Sequence, residues 1–223
     1  MKCSVCSGEI DEKYCPKCGQ YFNNERITSI SVLKDLFGSI FSLEKSFLIN
    51  IKMGLLQPNI LISNYWNGYR GYYYSPSRFL TIASLFFLLE LMLVNDFFGI
   101  SVRSKVSPQF TLLFLNLVVF TFSSFIIYLE YKKSFYEHLI LNIYNVSLWS
   151  IIFVPVSVIL SLFNTHRTIE AGFFFLFQLF IIVWNAKAFE MNKFKRLIYV
   201  ALNCIFLVIL ILVLIYSFGT STR

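Results

Sequence analysis

Four cysteines near the start of the chain have the types and spacing for metal chemistry. Cys3 and Cys6 form one C-x-x-C pair; after eight residues Cys15-Pro16-Lys17-Cys18-Gly19 forms a second. Two such pairs supply four thiolates, the donor set of a closed tetrahedral zinc site with no open coordination position. Pro16 constrains the turn, and Gly19 lets backbone amides approach sulfur without a Cβ in the way. A unit this short has almost no apolar core, so a structural Zn2+ would supply its folding energy. The competing chemistries are two disulfides, which need an oxidising compartment, and a redox C-x-x-C, which needs a βαβ context that the flanking sequence does not provide. Cys204 lies in an apolar run and reads as a small buried hydrophobe.

Other residues invite chemistry singly. Glu90 falls inside an apolar run, where an ionisable group raises the hypothesis of a proton or cation relay; a protonated or hydrogen-bonded carboxyl is the plainer reading. Glu137 and His138 could serve as a metal pair or an acid–base dyad, but neighbours i and i+1 on a helix do not face one another. His166 and Glu170 have i,i+4 spacing. Asn116, Asn142, Asn145, Gln178, Asn185 and Asn203 are further polar groups within apolar runs. Pro155 would free a carbonyl one turn earlier, near Ile151.

The elements that must position these residues follow from composition. The 223-residue chain is 57% hydrophobic and 14% charged, against roughly 25% charged in soluble domains. Its apolar residues come in blocks matching the thickness of a bilayer. The reading is an all-α polytopic membrane protein with about five transmembrane helices, at 79–98, 109–129, 139–163, 171–189 and 197–218, ahead of a short outer tail at 219–223. A zinc ribbon at 1–26 precedes them. Residues 27–57 form an amphipathic interfacial helix: Leu33, Leu36, Phe37, Ile40, Phe41, Phe47, Leu48, Ile51 and Leu55 recur at helical spacing, and Asn50 and Lys52 belong to the polar face.

Residues 58–78 make an aromatic and basic collar with six rings, Arg70 and Arg78. Pro58 should end the preceding helix, Gly68 and Gly71 permit turns around Arg70, and Pro76-Ser77 should begin the next helix. The rings suit an aromatic belt at the membrane interface; Arg70, Tyr73 and Arg78 are candidate contacts for a lipid headgroup or anionic ligand.

Lysine and arginine set the orientation. Fifteen fall on the side of the N-terminus and four, Arg103, Lys105, Arg167 and Arg223, on the other. By the positive-inside bias the N-terminus is cytoplasmic and the C-terminus outside, in the bacterial inner membrane. A cytoplasmic head keeps its thiols reduced. The same bias accounts for the net charge of +7, so nucleic acid is not the expected partner. The first 30 residues contain no apolar signal-peptide core.

The spacing Pro58-x6-Tyr65-x2-Gly68-x-Arg70-x2-Tyr73-x2-Pro76 resembles the hallmark P-G-x5-Y-x2-G-x-R-x2-Y-x2-P of an uncharacterised bacterial membrane family that carries an N-terminal zinc ribbon and several helices. Asn59 stands where that family usually has Gly. Tyr136-Glu137-His138-Leu139 is similar to the start of the family's middle helix. The resemblance implies the same architecture and no particular activity. Three functions compete: a non-enzymatic adaptor whose zinc head meets a cytoplasmic protein partner while the body contacts the lipid bilayer; a small transporter or channel using Glu90 and the Pro155 kink; and a lipid enzyme with Arg70 on a headgroup and Glu137/His138 doing acid–base work. Phe-rich and Asn-lined helix faces fit a monomer and an oligomer alike.

Overall fold

A computed structural model describes residues 2–10, 13–22, 47–70, 72–94, 96–100, 107–163 and 167–219. Most of the amphipathic segment lies outside them, as do Gly71, His166 and the tail after 219.

In chain order the elements are β1 (Tyr21–Phe22), α1 (Phe47–Leu56), α2 (Pro58–Trp66), β2 (Tyr69–Arg70), α3 (Pro76–Leu93), α4 (Pro108–Ile127), a 3-10 turn (Leu129–Tyr131), α5 (Phe135–Leu162), α6 (Arg167–Lys187) and α7 (Lys193–Gly219). Among the described residues, four helices are long and apolar enough to cross a membrane: α3, α4, α5 and Thr168–Lys187 of α6. The side chains of α7 beyond residue 210 are outside the described set.

Helix α5 is the centre. Every residue from Ile140 to Ile151 is buried, and its interface with α3 is the largest between any two elements. A capping box starts it: the Glu137 N–H donates to Ser134 Oγ at 3.3 Å, and the Ser134 N–H donates to Glu137 Oε2 at 2.8 Å. Satisfying those first-turn donors begins the helix at Phe135, four residues before the sequence-based estimate. Pro155 lies inside α5. The helix continues through it, and Pro155 itself is exposed.

Helix α3 departs further from expectation. It starts with Ser75 as N-cap and Pro76 in the first turn, but it ends at Leu93 instead of running to 98. Val94 is extended, and Phe98 and Gly99 have φ of 52° and 72°. The chain turns back, so Phe97 and Phe98 are buried among Phe87, Phe153, Phe173, Phe174 and Phe177. The Phe98 N–H donates to Ser157 Oγ at 3.1 Å, and Gln109 Nε2 donates to the Val94 carbonyl at 3.3 Å, tying down the exposed backbone of the turn.

The collar is not an irregular segment. Pro58 ends α1 but also begins α2, because its missing N–H costs nothing in the first turn of a helix. Helices α1 and α2 form a hairpin against α5 and α6. Phe47, Ile51 and Leu55 of α1 pack on the core, whereas Leu48 and Ile49 are exposed. Asn50, assigned to the polar face by sequence, is buried: its Oδ1 accepts the Tyr74 N–H at 2.7 Å. Gly54 fits closely under Leu148, where a Cβ would meet Cδ2 at 3.0 Å, and its carbonyl accepts Trp184 Nε1–H at 3.0 Å.

Candidate metal centre and the collar beneath it

The four cysteine sulfurs of the head, Cys3, Cys6, Cys15 and Cys18, all lie within 4.8 Å of one another. Cys3 Sγ meets Cys18 Sγ at 3.5 Å, and Cys6 Sγ meets Cys15 Sγ at 3.5 Å. All are free thiols; a disulfide would need about 2.05 Å. The two pairs are held by matching turns. The Cys3 N–H donates to the Gly8 carbonyl at 2.7 Å and the Cys15 N–H to the Gln20 carbonyl at 2.8 Å. The residue after each second cysteine is left-handed, Ser7 at φ 57° and Gly19 at φ 69°. The role read for Gly19 is therefore taken by Ser7 in the first pair, at the strain of a side chain in that region.

The electrostatics suit a metal ligand set. Burial raises the Cys15 thiol, but N–H groups of Cys18 and Lys17, helped by the neighbouring thiols, more than offset it and bring Cys15 down to about 6. Cys18 moves the other way, because burial and the crowding thiols oppose a second negative charge. One thiolate forms readily, and the remaining sulfurs need a cation to ionise beside it. The arrangement can hold a metal ion and, with all four thiols turned on one another, presents no open position for chemistry.

The head is tied to the collar by backbone. Strand β1 pairs antiparallel with β2, Tyr21 opposite Arg70 and Phe22 opposite Tyr69. The Tyr69 hydroxyl donates to the Lys2 carbonyl at 3.3 Å, the Tyr72 N–H donates to Gln20 Oε1 at 3.2 Å, and the Tyr69 ring packs on the Phe22 ring and the cysteine cluster.

The collar aromatics face protein rather than forming a belt. Tyr65 and Tyr74 are buried, and Trp66 and Tyr73 pack half-buried against the same core. Trp66 Nε1–H donates to the Glu137 carbonyl at 3.0 Å and the Tyr144 hydroxyl to the Tyr74 carbonyl at 2.8 Å. Arg70 stacks 5.0 Å from the Tyr65 ring centre and Arg78 lies 5.6 Å from that of Tyr74. Tyr73 packs edge-on against Tyr72, and burial raises its phenol. Arg70, Tyr73 and Arg78 are thus each engaged with a different aromatic neighbour.

Glu137 and His138 diverge. The Glu137 carboxylate caps α5 and pairs with Lys133 at 3.0 Å. His138 points inward, fully buried, with Nδ1 3.2 Å from Ser124 Oγ. From there a chain of hydrogen bonds crosses three helices. Asn142 Nδ2 donates to Ser124 Oγ at 2.9 Å, Asn185 Nδ2 to Asn142 Oδ1 at 2.8 Å, and Asn145 Nδ2 to Asn185 Oδ1 at 2.7 Å. The sequence marked the asparagines but not Ser124, since one serine in an apolar run carries no signal of what it faces. A second link joins Ser123, Asn203 and Tyr128, and a third joins Gln178 to Asn116.

Glu90 belongs to neither group. Read from sequence as mid-span, it sits one turn from the end of α3, because α3 stops at Leu93. It is fully buried and neither carboxyl oxygen has a hydrogen-bond partner among the described residues. Ser157 and Asp96 are its electrostatic neighbours. Glu170, at the same end, is buried with Oε2 against Gly99, where a Cβ would approach to 2.8 Å.

Fold and site together define a helical membrane protein with a four-thiol head that can hold a metal ion. Comparison with family models, curated proteins and solved structures found no match to this chain.

Proposed function

We propose that the protein is a non-enzymatic adaptor of the bacterial inner membrane, in which a structural zinc shapes a small cytoplasmic head that a protein partner recognises. The observation that carries this reading is the pairing of β1 with β2, which couples the four-cysteine cluster to the helix bundle through backbone instead of a free linker. A head held in this way presents one fixed face at the membrane surface. Tetrahedral zinc at about 2.3 Å from each sulfur sets the sulfurs about 3.8 Å apart; contacts of 3.5 Å within an overall limit of 4.8 Å bracket that value. Helix α7, 27 residues long, supplies the fifth span, and the lysine and arginine distribution supports a cytoplasmic N-terminus and an outer C-terminus. The collar motif's resemblance to a membrane family with zinc-ribbon heads is in keeping with this plan.

The test is in-cell photocrosslinking from position 14, since Tyr14 is an exposed residue of the head. The expected result is a discrete protein adduct that disappears in Cys15→Ser while the chain still inserts. Adducts to lipid alone in the wild type would remove the adaptor reading.

A second reading, transport, is favoured by one observation: the buried, unpartnered carboxyl of Glu90. It predicts proton-coupled flux in proteoliposomes that Glu90→Gln abolishes. No flux in the wild type, or flux that survives the substitution, counts against it.

A further inference from the structure

At the head end of the bundle a cavity of about 460 Å³ opens between the α1–α2 corner and the connection from α6 to α7. Leu56 and Asn59 line one side; Lys187, Glu190 and Arg196 line the other. Lys187 and Arg196 come from different helices and both line the cavity. Among the described residues the ion pairs are Lys133–Glu137 and Lys195–Glu130, so neither cation of the cavity has a carboxylate partner there, although Glu190 shares the same wall. Lys187 Nζ rests 3.4 Å from the centre of the Trp184 ring. Arg196 Nε is buried with no hydrogen-bond partner, and its Nη2 reaches the Met191 carbonyl only at 3.5 Å. Two cations in excess over the single carboxylate of Glu190, one of them with an unused buried donor, make a site for an anion.

The surroundings narrow the ligand. Leu56 and Ile60 beside the cavity are exposed, as are Phe194 and Leu197 on α7. An apolar rim around a cationic pocket matches a molecule with a charged head and a hydrocarbon tail. We propose that this cavity binds a phosphate ester, the headgroup of an anionic phospholipid, with Lys187 and Arg196 on the phosphate and the acyl chains along Leu56 and Ile60. The collar arginines singled out by sequence, Arg70 and Arg78, are not among the lining residues. The site is separate from the thiol head, so it does not depend on the adaptor reading.

The experiment is native mass spectrometry of the full-length protein in detergent, titrated with phosphatidylglycerol, with phosphatidylcholine, and with glycerol 3-phosphate as competitor. The wild type should bind phosphatidylglycerol at least tenfold more tightly than phosphatidylcholine, on the scale of about thirtyfold for two interfacial cations. The double substitution Lys187→Gln/Arg196→Gln should abolish that preference, while Lys132→Gln at an exposed site should keep it. If the double variant fails to fold, Asn59→Asp, which adds a negative charge at an exposed rim position, should weaken phosphatidylglycerol binding in the same direction. Displacement by glycerol 3-phosphate at concentrations similar to the lipid's own would uphold the phosphate chemistry and assign the site to a soluble ester. Equal binding of the two lipids by the wild type, or a preference that survives both the double variant and Asn59→Asp, overturns the proposal.

Discussion

The two ends of the helix bundle are built by different means. At the head end many polar groups are partnered across elements, with Arg196 Nε and His138 Nε2 as exceptions. Trp66, Trp184 and Tyr144 each donate to a backbone carbonyl of another element, Asn50 accepts from the collar, and Asn142, Asn145 and Asn185 bond side chain to side chain. Five cations there, Arg70, Arg78, Lys133, Lys187 and Lys195, each lie over an aromatic ring. At the far end the interior is mostly phenylalanine against phenylalanine, with the Phe98–Ser157 and Gln109–Val94 hydrogen bonds and a buried Glu90 carboxyl that has no hydrogen-bond partner among the described residues. Aromatic packing is strong but weakly directional, whereas hydrogen bonds between helices fix register. The end that carries the head is therefore held by more directional contacts, as the proposed docking role would require, and the far end is more filled than wired.

Substitutions at each end break this comparison in different ways. The largest effect belongs to the far end. Phe97 is fully buried among four rings, so Phe97→Ala should destabilise by about 3–5 kcal/mol, read as a lower midpoint in denaturant unfolding in micelles. A change below about 1 kcal/mol on the same scale would mean that the turn after α3 is not part of the core. At the head end, Asn185→Ala leaves Asn142 and Asn145 each short of a partner and should cost about 1–2 kcal/mol. A double cycle with Asn145→Ala should show coupling, since both act through one amide; strict additivity would break the network.

Much of this organisation was legible in the sequence, and what was not has physical reasons. The helices α4 to α7 appear close to their hydropathy blocks because a span of given length must be apolar whatever it packs against. The cysteine cluster follows from ligand spacing. The end of α3 was missed because Phe97 and Phe98 continue an apolar run; only the left-handed turn at Phe98–Gly99 shows that they fold back. The tyrosines of the collar were read as a belt because a ring suits a lipid interface and a protein interior equally, and composition does not separate the two. Pairing of Tyr21–Phe22 with Tyr69–Arg70 was invisible, since two-residue strands have no periodicity. The cavity between Lys187 and Arg196 arises where two helices meet, which neither helix encodes alone.

Smaller effects sharpen the same contrast. Among the described residues the Glu90 carboxyl has no close hydrogen bond, with Ser157 a polar neighbour, so the midpoint of Glu90→Gln should stay within about 1 kcal/mol of wild type. A larger loss would show that the far end is wired after all, through a partner that binds Glu90. The smallest effect is electrostatic. The Lys195 ammonium at 2.6 Å, with Tyr199, holds the Glu130 carboxyl below the usual carboxylate range. A depressed acid contributes stability above its unfolded value, about 4.3, and loses it as pH falls through the folded one. The pair is exposed, so the gap between wild type and Glu130→Gln should be slight at pH 7 and close on acidification. A gap that widens as the pH falls would reverse the assigned sign.

The most direct measurement is the metal content of the purified full-length protein, read per chain together with the free-thiol count and the helical circular dichroism signal. One zinc per chain is predicted for the wild type and none for Cys15→Ser, with the helical signal unchanged because the bundle does not depend on the head. A wild-type chain without bound metal whose head cysteines have oxidised to disulfides, or a Cys15→Ser chain that keeps a full equivalent of zinc, would contradict the four-thiol centre on which the account rests.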